Sequence, residues 1–210
     1  MRRTKRLALV EQHVAALREC TRCPDMIGPV VVSRPATSRV FLVGQAPGDK
    51  EPRLGRPFAW TAGKNLFKWF ATLGIDEETF RANVYMAAVC RCFPGKNPKG
   101  GDRVPSEVEI ANCKPWMDRE LEILQPELVI PVGRLAIEQF LPPRPLAEQI
   151  GRSYPGARGK LRFDVVPLPH PSGASTWYHV EPGRSLTKRA LALVGEHPAW
   201  ARLAQTAPPR

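Results

Sequence analysis

The sequence predicts an α/β domain built on a mostly parallel sheet covered by helices on both faces. Two observations carry that expectation. Four short runs, Arg39–Gly44, Asn83–Val89, Glu127–Val132 and Arg162–Leu168, are apolar throughout instead of alternating, as strands buried on both faces are. Segments of helical character stand between them, and strands that alternate with helices in this way form parallel crossover units.

The first helix is expected over Lys5–Arg18, where Leu7, Leu9, Val10, Val14, Ala15 and Leu17 recur at amphipathic spacing. The first strand, Arg39–Gly44, stops at a glycine. A helix over Ala62–Leu73 and the second strand, Asn83–Val89, come next. Ser106 with Glu109 supplies a capping box at the head of the helix Ser106–Leu124. The third strand, Glu127–Val132, must carry Pro131 at its end, because proline cannot donate within a sheet. Arg134–Phe140 reads as a short helix, Arg162–Leu168 as the fourth strand and Leu186–Gly195 as the last helix. The 23 prolines and 16 glycines add many fixed turns, and no internal repeat is present. A length of 210 residues fits one domain over 1–210, with a core over about 7–198 and a flexible tail over 201–210.

Charge and hydropathy narrow the function classes. The chain carries 31 Lys and Arg against 20 Asp and Glu, a net +11, which biases it toward phosphate-bearing partners, most simply nucleic acid. The competing reading of the same charge is a self-repelling, soluble surface. No apolar run approaches the roughly 20 residues that span a bilayer. After the basic start Met1–Arg6, Leu7–Val10 is too short for a secretory apolar region. A cytoplasmic monomer, held at the nucleoid through DNA and without membrane contact, is expected. In open parallel sheets ligands collect beyond the carboxyl ends of the strands, which points to Gly44–Gly48, Val89–Pro94, Gly133 and Pro169–Ser175.

Chemistry concentrates in a few segments. The five cysteines stand at 20, 23, 90, 92 and 113. A disulfide framework does not suit a cytoplasmic chain of this size. The pair Cys20-Thr-Arg-Cys23 also lacks the strand expected before a redox Cys-x-x-Cys motif. Four thiolates could hold zinc or an iron–sulfur cluster, and spacing alone does not separate these from buried, unligated cysteines. Gly44-Gln45-Ala46-Pro47-Gly48-Asp49-Lys50-Glu51 is a glycine-bearing turn after the first strand that lets backbone approach a ligand. Gly55-Arg56-Pro57-Phe58 follows, with Ala62-Gly63, and His170-Pro171-Ser172 lies after the last strand.

In this order, together with Tyr85 through Cys92 and Glu109 through Cys113, these segments resemble the uracil-DNA glycosylase superfamily, specifically its iron–sulfur branch, families four and five. The resemblance runs from Cys20 to about the final helix. It implies a three-layer α/β/α domain with a central four-stranded parallel sheet. It also implies a structural 4Fe–4S cluster held by Cys20, Cys23, Cys92 and Cys113, with Cys90 left over as a small buried hydrophobe. The basic, glycine-rich stretch Gly95–Arg103 reads either as a DNA-contacting loop or as a solvated insertion.

Cleaving a base from duplex DNA requires flipping the nucleotide out, stacking the base and stabilising the charge on the departing ring. By resemblance, Phe58 stacks the base. His170 donates to the carbonyl beside the scissile bond as an oxyanion-type group. Backbone at Gly44, Gln45, Ala46 and Gly48 closes the pocket. The sequence also departs from the family pattern. Gln45 stands where family four has Glu, and Thr61 where family five has Asp; both carboxylates are credited with assisting water or the sugar cation. Asp49 and Glu51 are candidate substitutes, Glu51 the weaker because a solvated helix face explains it as well. Ala88 stands where family four reads the base with Asn, which relaxes selectivity. No His lies between Arg91 and Cys113, so covalent capture of the base is closed. Trp177 or Tyr178 is expected either to wedge or stack in the gap left by the base, or to serve in ordinary packing. Ser172, Gly173, Ser175, Arg184, Lys188 and Arg189 are expected at phosphates.

The resemblance thus implies a monofunctional DNA glycosylase acting on uracil or another deaminated base and leaving an abasic site, since no lysine stands out as a covalent nucleophile. The alternative is a non-catalytic protein that binds DNA or damaged bases on the same fold. A zinc-dependent nucleotide enzyme is a third, weaker reading.

Overall fold

The computed structural model describes residues 3–173 and 175–206. Its sheet has five strands, β1 (Val40–Gly44), β2 (Tyr85–Ala88), β3 (Leu128–Pro131), β4 (Tyr154–Arg158) and β5 (Leu161–Val165), in the order β2-β1-β3-β5-β4. The four expected strands are β1, β2, β3 and β5. They pair in parallel, with Gly44 beside Ala88 and Leu42 beside Ile130. Every residue of β1 and β3 is buried, which is why those runs are apolar without alternation.

The expectation of a four-stranded parallel sheet is corrected by β4, which closes one edge as an antiparallel hairpin with β5. Its sequence, Tyr-Pro-Gly-Ala-Arg, hides it, because proline and glycine read as turn residues. Both are tolerated at an edge. Pro155 has one side without a neighbouring strand, and Gly156 leaves room for the Phe163 ring, which a Cβ there would meet at 2.3 Å.

Helices surround the sheet: α1 (Arg3–Arg18), α2 (Glu51–Leu54), α3 (Thr61–Ala71), α4 (Glu77–Asn83), α5 (Glu107–Leu124), α6 (Arg134–Ile137), α7 (Leu146–Gln149), α8 (Gly183–Glu196) and α9 (Pro198–Ala204). The capping box at α5 is present: Ser106 Oγ accepts from Glu109 N–H, and Glu109 Oε2 accepts from Ser106 N–H at 2.7 Å. The expected flexible tail from residue 201 is corrected as far as 204, where α9 continues the chain. His197 caps α9, Pro198 opens it, and Trp200 and Leu203 are buried, with Trp200 packed on Phe70 and Phe80. Residues 207–210 of that expected tail lie outside the described residues.

One buried polar network ties the core together. Glu120 of α5, 2% exposed, accepts from Tyr85 Oη at 2.9 Å and from Arg91 Nη2 at 2.6 Å, and its Oε1 meets His13 Nε2 of α1 at 3.2 Å. Burial opposes the Glu120 charge, but the Arg91 guanidinium and the His13 contact hold its carboxyl below the usual value. An apolar core needs such a charge paired and hydrogen-bonded. Arg91 stands between Cys90 and Cys92, so this network anchors the cysteine loop onto α1 and α5.

Candidate active site

The chain runs from β1 outward to β2 and then returns to the other side of β1 for β3. A crevice therefore opens beyond the carboxyl ends of these strands. A cavity of about 440 Å³ fills it, large enough for a single small ring system. Gly44–Glu51, Phe58, Ala88 and His170 meet there from separate parts of the chain.

Phe58 forms one wall, and its placement is over-determined. Its backbone sits at φ 52°, a left-handed conformation that costs a side-chain-bearing residue energy and must be held by its surroundings. Arg81 of α4 supplies the hold. Its Nη1 donates to the Pro57 carbonyl at 2.9 Å and its Nη2 to the Phe58 carbonyl at 2.8 Å. Arg81 is itself fixed by Glu77 at 2.7 Å and by the Phe67 ring face at 4.6 Å. Two glycines make the space. A Cβ on Gly63 would fall 1.7 Å from the Phe58 carbonyl oxygen, and one on Gly44 would fall 2.8 Å from the ring. The motif Gly55-Arg56-Pro57-Phe58 with Gly63 is therefore a device for presenting one aromatic face.

Glu51 braces the same loops. Its carboxylate accepts from Gly48 N–H at 2.9 Å and Ala59 N–H at 2.8 Å, joining the glycine-bearing turn to the Phe58 segment. Burial pushes its carboxyl above the usual value, against those backbone donors. Asp49 sits at the rim, with its Oδ2 3.4 Å from Lys50 Nζ and 3.5 Å from Lys96 Nζ. Burial would raise the Asp49 carboxyl, but Lys96 and Lys50 bring it below its usual value.

His170 faces the cavity from beyond β5. Gly133, at φ 87°, passes under its ring at a separation that would bring a Cβ within 3.0 Å of Cδ2. Ser172 N–H donates to His170 Nδ1 at 3.3 Å, which leaves Nε2 as the ring atom bearing the proton in the neutral form. Burial lowers the His170 pKa, with Asp102 opposing, so the imidazole is uncharged at neutral pH. Asn65 of α3 fixes the loop, donating to the Pro171 carbonyl at 2.9 Å and to Tyr178 Oη at 3.3 Å; Tyr178 in turn donates to the Ser172 carbonyl at 3.3 Å.

That arrangement gives Tyr178 a packing position. It is buried at 8% exposure, packed edge-on against Trp69, and braces the histidine loop instead of standing free as a wedge. Trp177 is half-buried, and Gly183 at the start of α8 lies so close that a Cβ would fall 2.0 Å from its carbonyl oxygen. Arg184 donates twice to the His179 carbonyl, at 3.0 and 2.6 Å, while Lys188 and Arg189 are exposed on α8. Gly173 is exposed beside Thr61, Ser175 is half-buried, and Ala174 lies outside the described residues.

Trp60 and Asp102 also reach the cavity, though the sequence did not name either of them individually. Trp60 is 51% exposed at its lip, with Lys64 Nζ 5.6 Å from its ring centroid. Asp102 comes in from the glycine-rich loop. That loop folds back on itself through an antiparallel bridge between Lys96 and Asp102 and a bond from Asn97 N–H to the Gly101 carbonyl at 2.9 Å. A lone aromatic or acid in a polar loop gives no periodicity or motif to find it by. Only the folded loop reveals its position.

The thiols gather at one end of the cavity loops. Ile27 and Phe93 exchange backbone hydrogen bonds at 2.8 and 2.9 Å, and Val31 N–H reaches the Arg91 carbonyl at 2.8 Å, which zips the Cys20–Cys23 segment to the Cys92 segment. Asn112 of α5 donates to the Arg22 carbonyl at 3.1 Å and to Cys23 Sγ at 3.6 Å, bringing Cys113 to the same place. Burial and the neighbouring Cys113, Cys20 and Cys23 push the Cys92 thiol up to about 11. Hydrogen bonding from Cys90 and, against burial, the Arg91 backbone and guanidinium bring Cys113 down to about 6. Cys90 is fully buried. The four thiols feel one another, yet among the described residues no group of three or more His, Cys, Asp or Glu side chains stands at metal-ligating spacing.

The sequence model of the Uracil DNA glycosylase superfamily matches residues 32–201. The chain belongs to the uracil-DNA glycosylase superfamily. It is 30% identical over 169 residues to a Type-4 uracil-DNA glycosylase of Thermotoga maritima, covering 78% of this chain and 82% of that protein. A Type-4 uracil-DNA glycosylase of Sulfurisphaera tokodaii is 27% identical over 174 residues, covering 80% and 75% of the two chains. A Type-5 uracil-DNA glycosylase of Pyrobaculum aerophilum is 28% identical over 156 residues, covering 60% of this chain and 66% of its own.

The three positions at which the resemblance implied a departure from families four and five all border the cavity. Gln45, Thr61 and Ala88 line it. The Gln45 carbonyl accepts from Cys90 N–H at 3.1 Å, so the turn that closes the pocket is bonded directly to the cysteine loop. Thr61 is exposed as the first residue of α3. Ala88 ends β2 opposite Gly44 and offers no polar group to a base edge.

Proposed function

We propose that the protein is a DNA repair glycosylase that hydrolyses the N-glycosidic bond of uracil or another deaminated base in DNA, leaving an abasic site. One observation carries the reading: a held aromatic face, Phe58, and a neutral imidazole, His170, line one ring-sized cavity at the sheet's switch point. The Type-4 and Type-5 names of its relatives support it. A base flipped from the helix stacks on Phe58, and the backbone of Gly44 to Gly48 closes around its edge. As the glycosidic bond breaks, its electron pair moves into the ring and charge grows on the neighbouring carbonyl. His170 donates a hydrogen bond from Nε2 to that oxygen. An uncharged imidazole suits the task because it stabilises the developing anion without having bound a charge beforehand. No lysine serves as a covalent nucleophile in this reading, and water completes the reaction.

Cys20, Cys23, Cys92 and Cys113 are proposed to hold a 4Fe–4S cluster. The donor set fits: four thiols from three chain segments, already joined by backbone and Asn112 hydrogen bonds. A bound cluster supplies a rigid cross-link of those segments next to the turn that closes the pocket. DNA is the proposed partner, met by a chain of net charge +11. Among the described residues no helix is long and apolar enough to cross a membrane.

The test is a panel of oligonucleotides bearing uracil, hypoxanthine or xanthine, incubated with excess protein and read as alkali-labile abasic sites. Cleavage of at least one supports the reading. Tight binding to the modified DNA without cleavage favours a non-catalytic binding protein on the same fold.

A further inference from the structure

Water attacking a sugar carbon that carries positive charge calls for a nearby carboxylate, and neither Gln45 nor Thr61 supplies one. Three carboxylates do border the cavity, those of Asp49, Glu51 and Asp102. Their bonding separates them. Both oxygens of Glu51 are engaged by the backbone N–H groups of Gly48 and Ala59, so it cannot turn toward a substrate without releasing two loops. The Asp49 Oδ2 stands between two ammonium groups at the rim. Asp102 differs. Its Oδ1 is held by Lys96 Nζ at 2.7 Å, while Oδ2 leans across the cavity mouth to 3.4 Å from the position a Cβ would take on Gly48. It is also the charged group whose field reaches the His170 ring. The side chain keeps about 39% of its surface open to solvent, so water reaches it freely.

We propose that Asp102 is the catalytic carboxylate of this site, taking the part that the acids at positions 45 and 61 play in families four and five. The proposal rests on the glycosylase reading of the cavity. Lys96 tethers one oxygen and the folded loop aims the other. In the step itself, the C1′–N bond breaks and its electron pair leaves with the base. The oxygen of a water molecule bonds to C1′, and the proton lost by that water passes to Asp102 Oδ2. His170 holds the charge on the base carbonyl, and the departing base takes its proton from solvent. Negative charge on Asp102 also favours the sugar cation before the water arrives.

The experiment measures single-turnover cleavage of a uracil-containing oligonucleotide, and binding to it, by the wild-type protein and by Asp102→Asn, Asp102→Glu and Asp49→Asn. Asp102→Asn preserves shape and a hydrogen bond to the loop. It is expected to lower the cleavage rate by about 10²-fold or more, as loss of an acid–base group does. DNA affinity and thermal melting should stay unchanged. Asp102→Glu should restore part of that rate, and Asp49→Asn should lose less than Asp102→Asn does. A wild-type rate in Asp102→Asn overturns the proposal and leaves the glycosylase reading standing. So does a loss in Asp102→Asn matched by an equal loss of binding, because the residue would then only grip DNA. A wild-type protein that cleaves none of the modified bases overturns the reading, and this proposal with it.

Discussion

Gly63 gives the sharpest mechanical test of how the cavity is built. In Gly63→Ala the new Cβ would stand 1.7 Å from the Phe58 carbonyl oxygen, whereas Cβ contacts below 3.0 Å are not tolerated. The carbonyl or the helix must therefore give way by at least 3.0 − 1.7 = 1.3 Å. The carbonyl is the acceptor of Arg81 Nη2, so the shift breaks the clamp that holds Phe58 in its left-handed conformation. Overpacking of this kind costs about 1–3 kcal/mol. For a chain of this size that is a fall in Tm of roughly 2–12 °C, at about 2–4 °C per kcal/mol. Misplacing a substrate-positioning group by 1 Å costs about 10²-fold in rate, so cleavage should fall that far while the protein remains folded at 25 °C. Gly74→Ala is the control. Gly74 has φ 84° and nothing within 4 Å of a Cβ, so backbone strain lowers Tm there without touching the cavity. Single-turnover cleavage and thermal melting of both variants decide the matter. Full activity in Gly63→Ala would refute the claim that these contacts place Phe58.

Three further outcomes follow from the same geometry. Burial lowers the His170 pKa, so its neutral form persists below the ordinary value of about 6.5. Cleavage should continue as pH falls through that value, and because the unfolded chain then binds the extra proton, stability should decline over the same window; an NMR titration of His170 and melts across it check both. If the proposed cluster is held, anaerobically purified protein should be brown, Cys92→Ala should bleach it and reduce soluble yield, and Cys90→Ala should keep the colour; visible absorption reads the difference. Trp60→Ala should weaken binding to single-stranded DNA by about 1–3 kcal/mol, the usual worth of a base stacked on an aromatic ring, and a fluorescence titration measures it.

Much of the fold is legible because its central strands are buried on both sides. A run such as Val40–Gly44 has no polar position to spare, so periodicity and burial say the same thing. The edge strand β4 is illegible for the opposite reason: Pro155 and Gly156 are chosen by the free edge and by the Phe163 ring, neither of which is visible locally. The helix α9 is missed because its burial depends on Phe70 and Phe80, far away in sequence. At the cavity, the places of Phe58 and His170 are legible because each lies in a short contiguous motif. Arg81 and Asp102 are not, and Glu51 is legible only as an acid and not as the brace it forms, because these roles are made by tertiary contacts between loops. Tyr178 is a residue for which the sequence leaves two readings open. A loop aromatic suggests exposure, but Asn65 and Trp69 have drawn it inside.

The central claim is that His170 and Phe58 form a hydrolytic base-excision site. It is tested most directly by mass spectrometry of the products when excess wild-type or His170→Ala protein meets uracil-containing DNA. Free uracil and an intact strand carrying an abasic sugar are expected from the wild type, with the rate falling by about 10²–10³-fold in His170→Ala, the usual loss for an oxyanion donor. Release of uracil at the same rate from both proteins, or no release from the wild type while it binds the DNA tightly, would contradict it.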